Sequence, residues 1–134
     1  MDQATRELVR RRAGDRCEYC LIPQEATPFF TFHVDRIIAK QHVGETDDPA
    51  RLALACNRCN AQKGPNLTGV DSETGEIVQL FNPRQDSWAD HFTLHGGEVV
   101  GNTPTGRATV RLLNMNSPHR VELRDAWLDE EGDL

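Results

Sequence analysis

The sequence predicts an α+β fold braced by a four-cysteine zinc site and extended toward its C-terminus by further strands and helices. Two cysteine pairs, Cys17-Glu18-Tyr19-Cys20 and Cys56-Asn57-Arg58-Cys59, carry most of that expectation. Each C-x2-C sets two sulfurs on one knuckle, and four thiolates at about 2.3 Å complete a tetrahedral shell around zinc. The chain has four cysteines, and this arrangement uses all of them. The second observation is residues 29–38, where large apolar and polar residues alternate among β-branched and aromatic types, the pattern of a strand. The third is a repeated device, Thr103-Pro104 and Ser117-Pro118, in which an N-cap hydroxyl precedes proline at the first helical position.

A full shell of thiolates leaves no position for water, so the zinc site reads as structural. The alternative is a pair of disulfides, each a strained bridge across two residues in a chain that nothing marks as secreted. A redox C-x2-C is a third reading, but such a motif normally stands alone at a helix start.

At 134 residues the chain is one domain, or a domain with a trailing extension. Hydrophobic content is 37%, and five Phe, two Trp and one Tyr must supply much of the bulky core. Zinc would compensate, because metal-binding free energy becomes folding free energy when the unfolded chain has no preformed site. Removing it is expected to unfold at least the N-terminal half. Residues 1–12 carry charge at most turns and contain no apolar stretch, so neither a signal peptide nor a membrane span is expected, and the expected compartment is the cytoplasm. A net charge of −6 argues against general affinity for nucleic acid. That average hides an asymmetry: residues 1–64 hold ten Lys and Arg against nine acids, and residues 65–134 hold five against twelve. Basic clusters in the first half can still meet phosphates.

In chain order, residues 4–13 set Leu8 and Val9 among Arg6, Arg10, Arg11 and Arg12 before Gly14, a short amphipathic helix whose basic face is either solvated or in contact with phosphate. Residues 23–28 form a loop, 29–38 the strand, 44–49 a loop between strand-like pieces, and 51–55 a lead into the second knuckle, after which 60–64 begin a helix. Beyond it come a turn at 71–75, a strand at 76–81 and a short helix at 86–92 with Trp88 and Phe92 on one face. Gly96-Gly97 then makes a hairpin between 92–94 and 98–100. Two helices close the chain, at 105–114 and 118–129, with Leu112, Leu113, Val121, Leu123, Trp127 and Leu128 as their core residues.

The chemistry lies between the knuckles. Alternation along a strand puts His33 and Asp35 on one face, opposite Val34. A carboxylate and an imidazole at a strand end, near a helix carrying Asn60 and Lys63, could hold a divalent cation and activate water. A half-buried Asp35 needs a cation or donor as partner. Metal ligand and satisfied structural carboxylate are both open on the residues alone.

The order C-x2-C, an acidic residue at a strand end followed by Ile37-Ile38 and a basic, glycine-containing loop, then Leu52-Ala53-Leu54-Ala55-Cys56-x2-Cys59-Asn60-x2-Lys63-Gly64, resembles the HNH endonucleases. The closest likeness is to the zinc-stapled group whose ββα-metal (His-Me finger) core is braced by four cysteines. The tail resembles that of a bacterial subgroup through Lys63-Gly64-Pro65-Asn66, Leu80-Phe81-x-Pro83-Arg84 and Gly106-Arg107-Ala108-Thr109-Val110. The resemblance implies a nuclease-like core at residues 1–66, with 67–134 an extension packed on it, and Cys17, Cys20, Cys56 and Cys59 as structural zinc ligands. It further implies that Asp35 and Asn60 hold a catalytic Mg²⁺, Mn²⁺ or similar ion.

Two positions depart from the family pattern. The general-base histidine should follow the acidic ligand at once, and Arg36 stands there; the middle asparagine should precede Leu52, and Arg51 stands there. A guanidinium stays protonated and cannot accept a proton from water, although it binds phosphate oxygens well. His33 is the nearest substitute base and His42 the second, each also readable as a surface or packing histidine. The expected activity is metal-dependent hydrolysis of DNA phosphodiesters, with RNA as the alternative substrate. Arg36, Lys40, Arg58 and Lys63 would clamp phosphates with little sequence preference. A nucleic-acid-binding module that has lost its chemistry and a zinc-stabilised protein-interaction domain are the rival readings.

Overall fold

The first helix begins where Asp2 caps it, its carboxylate accepting from the Thr5 amide at 2.8 Å, and its single buried side chain is Val9. The computed structural model describes residues 1–44 and 47–134. Helices and strands follow in the order α1 (Gln3–Arg12), β1 (His33–Arg36), α2 (Lys40–Val43), β2 (Leu52–Ala55), α3 (Asn57–Lys63), β3 (Thr68–Val70) and β4 (Ile77–Gln79). After them come α4 (Trp88–His91), β5 (Phe92–His95), β6 (Glu98–Gly101), α5 (Pro104–Leu112) and α6 (Pro118–Glu131). The strands pair antiparallel as β1 with β2, β3 with β4 and β5 with β6, giving an α+β fold.

β2 is the centre of the N-terminal core. All four of its residues, Leu-Ala-Leu-Ala, are buried, which suits an apolar run with one small residue in two packed on both faces. It pairs with β1 in the register His33 to Ala55 and Asp35 to Ala53, and α3 follows at once. α1 is fastened to this hairpin by two of its arginines: Arg10 donates to the Phe32 carbonyl at 2.6 Å, and Arg12 to the Pro49 and Leu52 carbonyls at 3.0 and 2.8 Å.

Several expectations are corrected. The strand expected over 29–38 is regular only at His33–Arg36. Upstream the Gln24 side chain replaces the ladder, donating to the Phe30 carbonyl at 2.7 Å and accepting from the Phe32 amide at 2.8 Å, so Phe29 and Phe30 stay exposed. The loop expected at 44–49 falls partly outside the described residues; Lys40–Val43 before it is helical, and Pro49–Arg51 is a 3-10 turn capped by Asp48. α3 starts three residues earlier than expected, with Asn60 in its middle, because the Cys56 sulfur caps it by accepting from the Cys59 amide at 3.4 Å. Thr68–Val70 is a strand that period alone does not reveal, since three residues carry too little pattern. The 86–92 helix is shorter, and Phe92 opens β5 while its ring packs 5.0 Å from Trp88. Thr103 caps α5 through its hydroxyl as expected, but the buried Ser117 hydroxyl makes no cap bond to α6.

The second half is joined to the first through motif residues. Arg84 pairs with Glu18 of the first knuckle, and Trp88 donates to the Tyr19 carbonyl at 2.9 Å. Thr109 accepts from the Phe81 amide at 3.0 Å, and Arg107 holds the buried Asp71 with bonds of 2.7 and 3.0 Å. The helix α6 departs most from its expected role. Leu123, Trp127 and Leu128 are only half-buried, and the side chains it buries are Arg120 and Arg124.

Candidate functional site

Two knuckles bring Cys17, Cys20, Cys56 and Cys59 together as unbridged, buried thiols whose sulfurs all lie within 4.8 Å of one another. A tetrahedron with arms of about 2.3 Å has edges of about 3.8 Å. The Cys20 and Cys56 sulfurs stand 3.7 Å apart, so the donor set fits zinc in both chemistry and spacing. This geometry also disposes of local disulfides, because the four sulfurs converge on one point instead of pairing within each knuckle. Burial pushes the Cys17 and Cys59 thiols up, whereas at Cys20 burial is outweighed by the neighbouring sulfurs, and the Cys17 sulfur likewise draws Cys56 below the ordinary thiol value.

Arg120 and Arg124 are the residues that sequence reasoning missed. Arg120 is 2% exposed and donates to the Cys59 sulfur at 2.7 Å, with the Cys56 sulfur at 3.8 Å. Arg124 is 0% exposed and donates to the carbonyls of Gly97, Met115 and Cys20 at 2.6, 2.5 and 3.5 Å. Burial disfavours the Arg120 charge, yet Cys59, Cys20 and Cys56 outweigh it and hold its pKa above the ordinary value; burial lowers that of Arg124. Four thiolates around a divalent ion leave two negative charges in the core, and these two guanidiniums supply two positive ones. The available signal was the i, i+4 spacing, which places both on one helix face.

Asp35 and Lys63 form the second cluster. The Asp35 Oδ2 atom accepts from the Tyr19 hydroxyl at 2.8 Å and faces the Lys63 ammonium at 3.2 Å. That ammonium also donates to the Ile37 carbonyl at 2.9 Å and is buried. Burial raises the Asp35 pKa from its ordinary value, opposed by Lys63 and Tyr19; burial and the Asp35 charge together push Tyr19 well up. Oδ1 of Asp35 makes no hydrogen bond among the described residues. Asp35 belongs to the wall of an open cleft of about 330 Å³ that His33, Arg36, Lys40 and Asn60 also line. A carboxylate oxygen and an amide suit a hard divalent ion that keeps most of its waters, and Lys63 beside the carboxylate weakens that fit.

The remaining expected residues divide by position. Arg36 lines the cleft but pairs with Asp47 at 2.9 Å. Lys63 turns inward to Asp35, so its ammonium is not at the surface where a phosphate clamp is needed. Arg58 is exposed on α3 but lines a different, largely apolar hollow with Phe29, Phe30 and His119. His42 is outside the cleft wall, and its Nε2 lies 3.0 Å from the Pro65 carbonyl, which can only accept and so makes Nε2 the donor. Arg51 is exposed, and its carbonyl, not its side chain, braces the neighbouring loop by accepting from the Ile37 amide at 3.0 Å.

The family model for HNH endonuclease matches residues 17–66, a segment that starts at the first zinc knuckle and ends after α3. This segment belongs to the HNH endonuclease family. No curated protein and no solved structure matches the chain. Within the HNH segment, β1, β2 and α3 are the ββα-metal unit and the four cysteines are its brace. The match supports a nuclease-type function in general terms. No helix among the described residues is long and apolar enough to cross a membrane.

Proposed function

We propose that this HNH chain hydrolyses phosphodiester bonds of DNA with a divalent ion at Asp35 and Asn60, using His33 as its base. One observation carries the reading: His33, Asp35 and Asn60, separated by up to 27 positions, line one cleft. Mg²⁺ or Mn²⁺ would supply polarisation of the phosphate and neutralise charge on the leaving oxygen. Asp35 Oδ1 and the Asn60 amide would hold it, while Tyr19 and Lys63 fix the carboxylate's orientation through Oδ2. His33 would take the proton from the attacking water, which a neutral imidazole can do and the Arg36 guanidinium cannot. Arg36 and Lys40, on the same cleft, would bind flanking phosphate oxygens. The position of His33 on the cleft wall favours it over His42.

The test is nicking of supercoiled plasmid by purified protein in Mg²⁺ or Mn²⁺. We expect slow nicking that Asp35→Ala abolishes and His33→Ala slows by about 10² to 10⁴, the usual worth of a positioned base. A binding module without chemistry is the second reading, favoured by Arg36 at the base position and by the charge of Lys63 against Asp35. It stands if the wild type retains DNA without cutting it and Arg36→His gains cutting. Absence of any DNA retention at low salt would instead favour the protein-interaction reading.

A further inference from the structure

We propose that the cleft between α1 and β1 is a phosphate-binding subsite, extending the path of the nucleic-acid backbone beyond the Asp35 cleft. The inference rests on the nucleic-acid reading above but adds residues that lie before the HNH segment, which begins at residue 17. This second cleft, of about 340 Å³, is lined by Arg6 and Arg10 of α1 and by His33, Val34 and Arg36 of β1. His33, Val34 and Arg36 also line the Asp35 cleft, so the two clefts adjoin along β1. A backbone that places one phosphate near Asp35 therefore has a second basic cleft beside it, toward α1.

The charge on the walls fits a polyanion. Three arginines line it, and among the described residues the one carboxylate paired with any of them is Asp47, bound to Arg36 and to the Met1 amine. Two of the three are held in place by protein contacts, which limits the entropy lost when a ligand binds. Arg10 is anchored on the Phe32 carbonyl at 2.6 Å, and Arg36 on Asp47 at 2.9 Å. Arg36 Nε is buried with no partner among the described residues, an unmet donor on a side chain that walls both clefts. Arg6 is exposed, and its guanidinium makes no hydrogen bond or ion pair among the described residues. Guanidinium forks match phosphate oxygens bidentately, so two anchored arginines beside one exposed arginine are chemically suited to a phosphodiester. Contacts to phosphate carry no base information, so this one is expected to be insensitive to sequence.

Fluorescence anisotropy of a fluorescein-labelled DNA duplex, without divalent ions and across a salt series, tests this. Arg6→Glu should weaken binding about tenfold at low salt and lower the salt slope by about one, the loss of one phosphate contact. Arg6→Gln should show the same slope change with a smaller loss. Arg11→Glu, on the same helix but outside the cleft, controls for the general field and should change affinity less than about twofold. If Arg6→Glu costs no more than Arg11→Glu, or leaves the slope unchanged, the subsite is overturned while wild-type retention and nicking keep the nuclease reading intact. If the wild type itself does not bind the duplex, both readings fall together.

Discussion

Asp35 holds two jobs that pull against each other, and its neighbours show how they are divided. Oδ2 is spent on Tyr19 and Lys63, inside the protein, while Oδ1 makes no hydrogen bond among the described residues and Asp35 lines the cleft. Breaking a buried pair by removing one partner is costly because it strands the other charge. Lys63→Met is therefore expected to lower unfolding free energy by about 3–5 kcal/mol, and the double variant Asp35→Asn/Lys63→Met to recover most of that loss, read from denaturant midpoints. Recovery absent from the double variant would mean that Lys63 acts through packing and not through its charge. Arg120 can be judged on the same terms. Groups that hydrogen-bond a metal ligand from behind typically change metal affinity by 10–100-fold. Arg120→Met should thus speed zinc release to a chromophoric chelator at least about tenfold, an effect that Arg111→Met, exposed on α5, should lack. Asp35 and the cysteines were legible in the sequence because their residue types and spacing are unusual. Arg120 was not, since a charged residue on a helix is normally read as solvated, and only the nearby sulfurs reverse that.

The elements of the second half are held by close backbone contact and by a few buried polar bonds. Gly106 at the start of α5 lies so near β6 and α4 that an added Cβ would overlap the His91 carbonyl oxygen, and Gly101 faces the same junction. Gly106→Ala should therefore cost about 1–3 kcal/mol, measurable as a fall in Tm, whereas Gly75→Ala meets no neighbour and is penalised only by its left-handed turn. Arg107 holds the Asp71 carboxyl well below the usual carboxylate range, so this pair keeps the β3–β4 hairpin charged and fastened to α5. The hairpin β5–β6 and the capped α5 were readable from Gly96-Gly97 and Thr103-Pro104, because turn and cap chemistry is local. The short β3 and the truncated β1 were not. Their bounds depend on partners distant in sequence, and in β1 on a glutamine side chain that takes over the backbone bonds upstream.

At the scale of the whole molecule, the zinc brace and the C-terminal helix share one buried charge balance. Metal removal strands the buried Arg120 guanidinium beside neutral thiols, and Arg124 one turn on ties the same helix to the Cys20 carbonyl, so chelation should unfold α6 together with the N-terminal core and not the core alone. Far-UV circular dichroism during EDTA titration should show one cooperative loss; two separated steps would contradict the coupling. Thiols must shed protons to bind metal, so apparent zinc affinity should fall as pH falls. The α+β class, the metal-ligating cysteines, the nuclease-type unit between them and the two substitutions at Arg36 and Arg51 are legible before folding. Those rest on residue identity and spacing, which a linear chain displays in full. Folding alone turns Lys63 inward, brings His33 rather than His42 to the cleft, and sets Arg120 of α6 against the metal-site sulfurs. Each of those depends on which polar group finds its partner across tens of residues, and burial makes that pairing obligatory without leaving any local pattern to announce it.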